Sequence, residues 1–316
     1  MLRMFSPVVN LVNRSEESLE IGEDFLIRQA SSSELAILKS IYQHDPMLGD
    51  LREDYGDNVQ VIESLFDPED LQAYVPFDRF RGSEGEYLKW RERNRDALSR
   101  CRRIIESKLA FLRLMKPGQI ACKVFLLKET TKEGEHISSL TVRYYTPWYY
   151  ENYPYKYELS IEEIDHYSSE YGLIGSSISI DESPSLRYFC KGYHEPLLVD
   201  RIVDIVIGLE SLCLSNERSH TELRYKLAMR CSAYIEEEYK RRGEVCKNVL
   251  TAYDLRSKIV HGGEKKKKEK AKKDKAREEL KLVFPTIENY LRTSLVKVLK
   301  EPRWLEGKDF DRFLLE

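Results

Sequence analysis

Between residues 196 and 299, outside a Lys-rich stretch at 264–281, the apolar side chains return at every third or fourth position, and this pattern constrains the fold more than any other feature of the chain. Leu198, Ile202, Ile205, Val206, Leu209 and Leu212 stripe a strongly apolar helix reaching about Leu214, and Pro196 suits its first turn, where a missing N–H costs nothing. Ser219-x-x-Glu222 is a capping-box pattern ahead of a second helix, which runs through Leu227, Cys231 and Ile235 toward Arg242 and stops at Gly243. Val245, Val249, Leu255, Ile259 and Val260 line a third helix, with Gly262-Gly263 as its C-terminal cap. A fourth helix is expected over about 276–299, followed by a tail whose Trp304, Leu305, Phe310, Phe313 and Leu314 are docking residues. Four such helices with short connections predict an all-α bundle over 196–316.

The preceding residues, 1–195, read differently. Asp24-Phe-Leu-Ile-Arg-Gln is strand-like, and Ser31-x-x-Glu34 opens a helix through Leu35, Leu38 and Ile41. Residues 44–86 are rich in Asp, Gly and Pro and read as loops and short helices. A long helix is predicted over 93–115, ended by Lys116-Pro117-Gly118. Two strands over 121–128 and 140–146, a tyrosine-rich stretch from Tyr144 to Tyr157, and a short helix opened by Ser160-x-x-Glu163 complete this part. The expected fold class is therefore α+β: a mixed α/β N-terminal domain over 1–195, with a sensing, regulatory or substrate-binding role, and then the helical bundle. The boundary falls at Glu195-Pro196.

With 41% hydrophobic residues among 316, the chain has ample material for two cores. No run approaches the length of a membrane span, and the first residues lack the apolar core of a signal peptide, so a cytoplasmic protein with no membrane partner is expected. The six cysteines form no Cys-x-x-Cys pair and read as free thiols of a reducing compartment. No His/Asp/Glu group has metal-ligand spacing, so neither metal nor cofactor is expected. Net charge is −3, with 24 basic and 33 acidic residues in 1–195 against 27 and 21 in 196–316. Residues 264–281 alone hold ten basic and five acidic side chains, which leaves the rest of the bundle near neutral and makes this Lys-rich insertion the main electrostatic footprint for RNA.

Arg256 and His261 are the most chemically suggestive pair. Five residues on an α-helix span ~500°, so the two side chains stand ~140° apart around the axis. Arg256 is long enough to bend back, and His261 occupies the last turn, where the imidazole can project past the helix end. The negative end of the helix dipole favours His⁺. A cationic imidazole beside a guanidinium is a pocket for a phosphodiester. Metal-free RNA cleavage needs a base for the 2′-hydroxyl, an acid for the 5′ oxygen and positive charge on the phosphorane; His261 can supply the proton transfers and Arg256 the charge. Ser257 is a supporting group that orients the phosphate or the ring. Glu210, on the first bundle helix, is either a solvated glutamate or the group that orients Arg256. Arg187 and His194 repeat a similar spacing but lie before Pro196, with no bundle helix carrying them, and read as structural. The tyrosines at 144–157 read as packing rather than base-stacking residues.

The strings Gly208-Leu-Glu-Ser-Leu, Leu223-Arg-Tyr-Lys-Leu-Ala-Met-Arg-Cys-Ser-Ala-Tyr-Ile and Ala252-Tyr-Asp-Leu-Arg-Ser-Lys-Ile-Val-His-Gly-Gly resemble the ApeA-like branch of the HEPN superfamily, over roughly residues 197–300. That resemblance implies an all-α domain that dimerises so that two Arg/His pairs share one cleft, and service as a ribonuclease in toxin–antitoxin and anti-phage defence. Carried over, Arg256 and His261 are the catalytic pair. Many members place Asn, Asp or His directly after the arginine, where this chain has Ser257. The expected function is a metal-independent endoribonuclease acting on RNA such as tRNA, restrained by an antitoxin or triggered by a phage-derived signal. Lys258, Lys265, Lys266, Lys267 and Lys268 are the RNA-backbone candidates, although such a run also reads as a solvated connection. The alternative is a non-catalytic dimerisation and RNA- or nucleotide-binding scaffold.

Overall fold

The structure, a computed structural model, describes residues 2–9, 11–13, 18–44, 59–65, 83–122, 124–131, 134–140, 157–195, 197–215, 221–261 and 270–301. Among these the chain divides into two compact units, one up to Ser176 and one from Ser177 onward. The first is a mixed α/β unit and the second is helical. The expected α+β class therefore stands in its coarse form. Helix Pro184–Gly192 falls in the helical unit, upstream of the boundary expected at Glu195-Pro196.

In the first unit, β1 (Leu2–Val9), β3 (Leu19–Gly22), β4 (Phe25–Gln29), β5 (Gln60–Leu65), β7 (Phe125–Thr131) and β8 (Gly134–Leu140) form an antiparallel sheet in the order β3-β4-β5-β1-β7-β8, and the short β6 (Ala121–Cys122) also pairs with β1. β2 (Leu11–Asn13) and β9 (Tyr157–Leu159) make a separate parallel pair. Strand β4 matches its sequence reading; β8 occupies Gly134–Leu140, and the strand expected over 140–146 lies, apart from Leu140, outside the described residues, as do residues 141–156 with most of the tyrosine cluster. β5 corrects the reading of 44–86 as loops and short helices. It is an interior strand, and its polar Gln60, Glu63 and Ser64 are buried along with Val61 and Ile62. No polar–apolar alternation marks such a strand.

Buried Glu63 is tolerable because Arg28 on β4 reaches it, the Nε–Oε2 distance being 2.5 Å. The same guanidinium forks onto Glu34 of α1 (Ser32–His44) at 2.8 Å through both terminal nitrogens. Glu34 also closes the expected capping box with Ser31, accepting from its N–H at 2.8 Å. Burial alone would raise the Glu34 carboxyl, but the Arg28 and Ser31 donors hold it below its ordinary range. Helix α2 (Glu84–Met115) starts nine residues earlier than its apolar stripe suggested, because Ser83 and Glu86 form a capping box there. Its 32 residues make a rod ~48 Å long. The buried C-terminal half packs Phe111 against Phe25 of the sheet and against Tyr171 of α3 (Ile164–Ile174), which follows the expected Ser160–Glu163 box.

The second unit consists of α4 (Pro184–Gly192), α5 (Leu198–Cys213), α6 (Leu223–Ile235), α7 (Tyr239–His261) and α8 (Lys270–Lys300). α5 is the central helix and packs against each of the other four. Its apolar stripe buries Ile202, Ile205, Val206 and Leu209 completely or nearly so. Gly208 sets the closest approach to α8: a Cβ there would stand 2.6 Å from Leu291 Cδ2. α5 begins at Leu198 with Leu197 at its N-cap, two residues beyond Pro196.

Two helix boundaries differ from the sequence reading. Glu222 is not the third residue of a capped turn but the N-cap of α6 itself, in left-handed backbone at φ 56°, while Ser219 lies outside the described residues. The second break falls at Glu236–Glu238 rather than at Gly243. Glu236 takes extended backbone, its carboxylate accepts from the Glu238 N–H at 3.0 Å, and its carbonyl accepts from Arg242 Nε at 2.9 Å. Those partners restart the helix at Tyr239, and Gly243 sits inside α7 on an exposed face with open space around its Cα. α8 begins at Lys270, so the last part of the Lys-rich stretch is helical; residues 262–269 and the tail from 302 lie outside the described residues.

Candidate functional site

Arg256 lies on α7 in the turn before the helix end, and His261 is the last residue of that helix. The two backbones are separated by ~7.5 Å along the axis. The side chain of His261, and therefore its projection past the helix end, lies outside the described residues, as do Lys265, Lys266, Lys267 and Lys268. Ser257 is half-buried next to Arg256, and Lys258 is exposed on the same helix.

α5 crosses α7 so that Glu210 comes next to Arg256. Arg256 NH2 and Glu210 Oε2 are 3.6 Å apart, and each side chain is 22% exposed. At that distance the two attract as charges without a hydrogen bond, so the contact does not use up the guanidinium's donors. Arg256 Nε is buried and has no hydrogen-bond partner among the described residues. A planar fork of donors whose terminal nitrogens are held by charge alone suits an oxyanion ligand. Burial raises the Glu210 carboxyl above its ordinary range, and the Arg256 charge offsets only part of that rise.

A further ion pair ties the same stretch of α7 to α6. Arg224 on α6 grips Asp254 on α7 through two contacts of 2.6 and 2.7 Å, two residues before Arg256. Asp254 is held below its ordinary carboxyl range by the Arg224 hydrogen bonds, and Lys258 adds to this. Sequence reading missed the pair, because nothing in a 30-residue separation signals that α6 and α7 lie side by side. Both residues nevertheless stand inside the family-like strings.

Arg187 corrects an expectation. A helix of the bundle unit does carry it: α4 is capped by the Ser183 hydroxyl, which accepts from Leu186 N at 3.3 Å, and Arg187 stands exposed on that helix over the Tyr188 ring. In the first unit, a cleft of about 850 Å³ opens between the β3–β4 turn, α2 and α3. Lys108 in its wall is 1% exposed, but it donates to the Asp24 carbonyl and carboxylate at 2.6 and 2.7 Å and faces the Tyr171 hydroxyl at 3.4 Å. With three donors and three acceptors it reads as a structural lysine.

Among the described residues no group of three or more His, Cys, Asp or Glu side chains is arranged to hold a metal ion. Among them, too, no helix is long and apolar enough to cross a membrane. Neither known protein families, curated proteins nor solved structures yield a match to this chain.

Proposed function

We propose that the chain is a metal-independent endoribonuclease of the HEPN type, with Arg256 and His261 as its catalytic pair and a second copy completing the cleft. The observation that carries this reading is the Arg256 guanidinium, half-buried near a helix end and held by Glu210 at 3.6 Å as a charge, without a hydrogen bond between the two. In the proposed reaction the 2′-oxygen attacks phosphorus as the P–O5′ bond breaks. His261 exchanges protons with the attacking and departing oxygens, and Arg256 neutralises the phosphorane. Ser257, beside the arginine, orients the phosphate. Lys258 and the lysines at 265–268 hold the flanking backbone, which makes affinity fall with salt. A defence or toxin effector of this kind is restrained by an antitoxin partner or awakened by a phage-derived trigger, and the N-terminal unit is where such a signal is read.

Purified protein mixed with tRNA in EDTA tests the reading. Fragments ending in 2′,3′-cyclic phosphate are expected, and DNA of the same sequence should stay intact because it lacks the attacking hydroxyl. RNA that is bound tightly but never cut, with or without an added trigger, would favour instead a non-catalytic RNA-binding scaffold, a reading that Ser257 in place of Asn, Asp or His supports.

Glu210 gives a pH-dependent check. Its folded pKa is raised, so over the window from its ordinary value upward the folded state holds a proton that the unfolded chain has released. Stability from this group is therefore greatest at low pH and falls as pH rises through the folded pKa. Urea unfolding of wild type and Glu210→Gln should show the wild type losing ground to the variant as pH rises above the ordinary carboxylate range. Cleavage by the variant should drop at the same time, because Arg256 loses its anchor. A wild type that gains on the variant with rising pH contradicts the assignment of Glu210.

A further inference from the structure

Two cysteines of the bundle meet in its interior. Cys213 is the last residue of α5 and Cys231 lies in the middle of α6; they are 1% and 0% exposed, and their sulfurs are 3.1 Å apart. A disulfide needs ~2.05 Å, so closure asks for an approach of about 1 Å, within reach of small side-chain rotations. The backbone beside the contact is held as well: Arg230 NH1 donates to the Cys213 carbonyl at 3.3 Å, and the Leu214 N–H closes the last turn of α5 on the Glu210 carbonyl at 2.8 Å.

We infer that Cys213 and Cys231 are an oxidisable dithiol, a modification site that peroxide converts to a disulfide bridging α5 and α6. The step balances with one peroxide. One thiolate attacks a peroxide oxygen and releases water, forming a sulfenic acid. The second sulfur attacks that sulfur and displaces a second water, so two thiols and H₂O₂ become one disulfide and two H₂O.

Access and rate follow from position. The Cys213 sulfur and burial together hold the Cys231 thiol well above its ordinary range, and both sulfurs are shut away from solvent in the closed bundle. Cys213 sits at a helix terminus, where local opening costs least, and each opening exposes it to a small oxidant. Oxidation is accordingly slow compared with an exposed thiol. Half-buried Cys246, on α7, is a competitor more accessible than the pair itself. The bridge would restrain the last turn of α5, which also carries Glu210. Any effect on cleavage rests on the reading of Arg256 above, whereas the chemistry of the thiols does not.

The test uses the full chain treated with hydrogen peroxide, blocked with iodoacetamide under denaturing conditions and digested with trypsin without reductant. The expected product is the peptide 202–218 joined to the peptide 231–240, lost on adding dithiothreitol. The oxidised protein should melt about 5–10 °C higher, because the bridge restrains the unfolded chain. The Cys246→Ser protein should still form it, and Cys231→Ala should not. Cys213 and Cys231 both recovered alkylated after prolonged peroxide, or a Cys231–Cys246 linkage in place of the expected one, overturns the assignment. Either result leaves the ribonuclease reading untouched, since that reading is decided by the RNA assay alone.

Discussion

RNA incubated with the His261→Ala protein is expected to remain intact where the wild-type protein cuts it, with the rate reduced by ~10²–10⁴. Loss of the imidazole removes the proton transfers at both oxygens and leaves only charge stabilisation. Arg256→Lys should fall by about 10² or more, because an ammonium keeps the charge but loses the planar fork that can face two phosphate oxygens at once. Folding can be separated from chemistry in both cases. His261 closes a helix and Arg256 touches Glu210 only as a charge at 3.6 Å, so thermal unfolding of the two variants should stay close to wild type. Mixed dimers of wild-type and His261→Ala chains should be impaired beyond a simple half, since the proposed cleft takes a pair from each copy. Variants that cut RNA at the wild-type rate, with the same cyclic ends, place the chemistry elsewhere in the chain.

The largest stability effect is expected at Glu288. Its carboxylate is 1% exposed on α8, accepts from the Tyr193 hydroxyl at 2.5 Å and pairs with Arg292 at 3.0 Å. Arg292 is itself 3% exposed and also reaches the Tyr193 oxygen at 3.3 Å, while the buried Arg201 guanidinium stacks over the rings of Tyr193 and Phe284. Glu288→Ala removes the buried carboxylate that faces the Arg292 guanidinium and the Tyr193 hydroxyl, a loss worth about 3–5 kcal/mol. Urea unfolding followed by circular dichroism should show that loss. Replacing both Glu288 and Arg292 by leucine should recover most of it, because a buried pair costs nearly as much to desolvate as it returns. If the single variant loses less than about 1 kcal/mol, the cluster is solvated rather than buried.

Legibility in the sequence followed a simple physical division. Periodicity found α5, α7 and α8, because each buries one stripe against its neighbours and the stripe is written every third or fourth residue. The Ser31–Glu34 and Ser160–Glu163 boxes were readable for the same reason: both partners of each cap lie within one turn. The start of α2, the break at Glu236 and the uninterrupted passage of α7 through Gly243 were not, because a cap or a break competes with helix propensity by margins of about 1 kcal/mol that composition does not resolve.

For the candidate site, the string around Arg256 and His261 stood in the sequence from the start, and Glu210 was readable only as one of two equal possibilities. What the sequence by itself determined is everything local: helical stripes, caps closed within a turn, and the nearness of Arg256 and His261 along one helix. Tertiary structure alone decided the rest. Gly208 lets α8 close on α5, and the crossing of α5 and α7 sets Glu210 3.6 Å from Arg256 across 46 residues of chain. Arg28 makes a strand of β5 by satisfying Glu63, and the pairing of α5 with α6 brings Cys213 to Cys231. The physical reason is common to these cases. A buried charge, a missing Cβ or a thiol is acceptable or reactive only by virtue of what faces it, and in each case the facing group comes from a distant part of the chain.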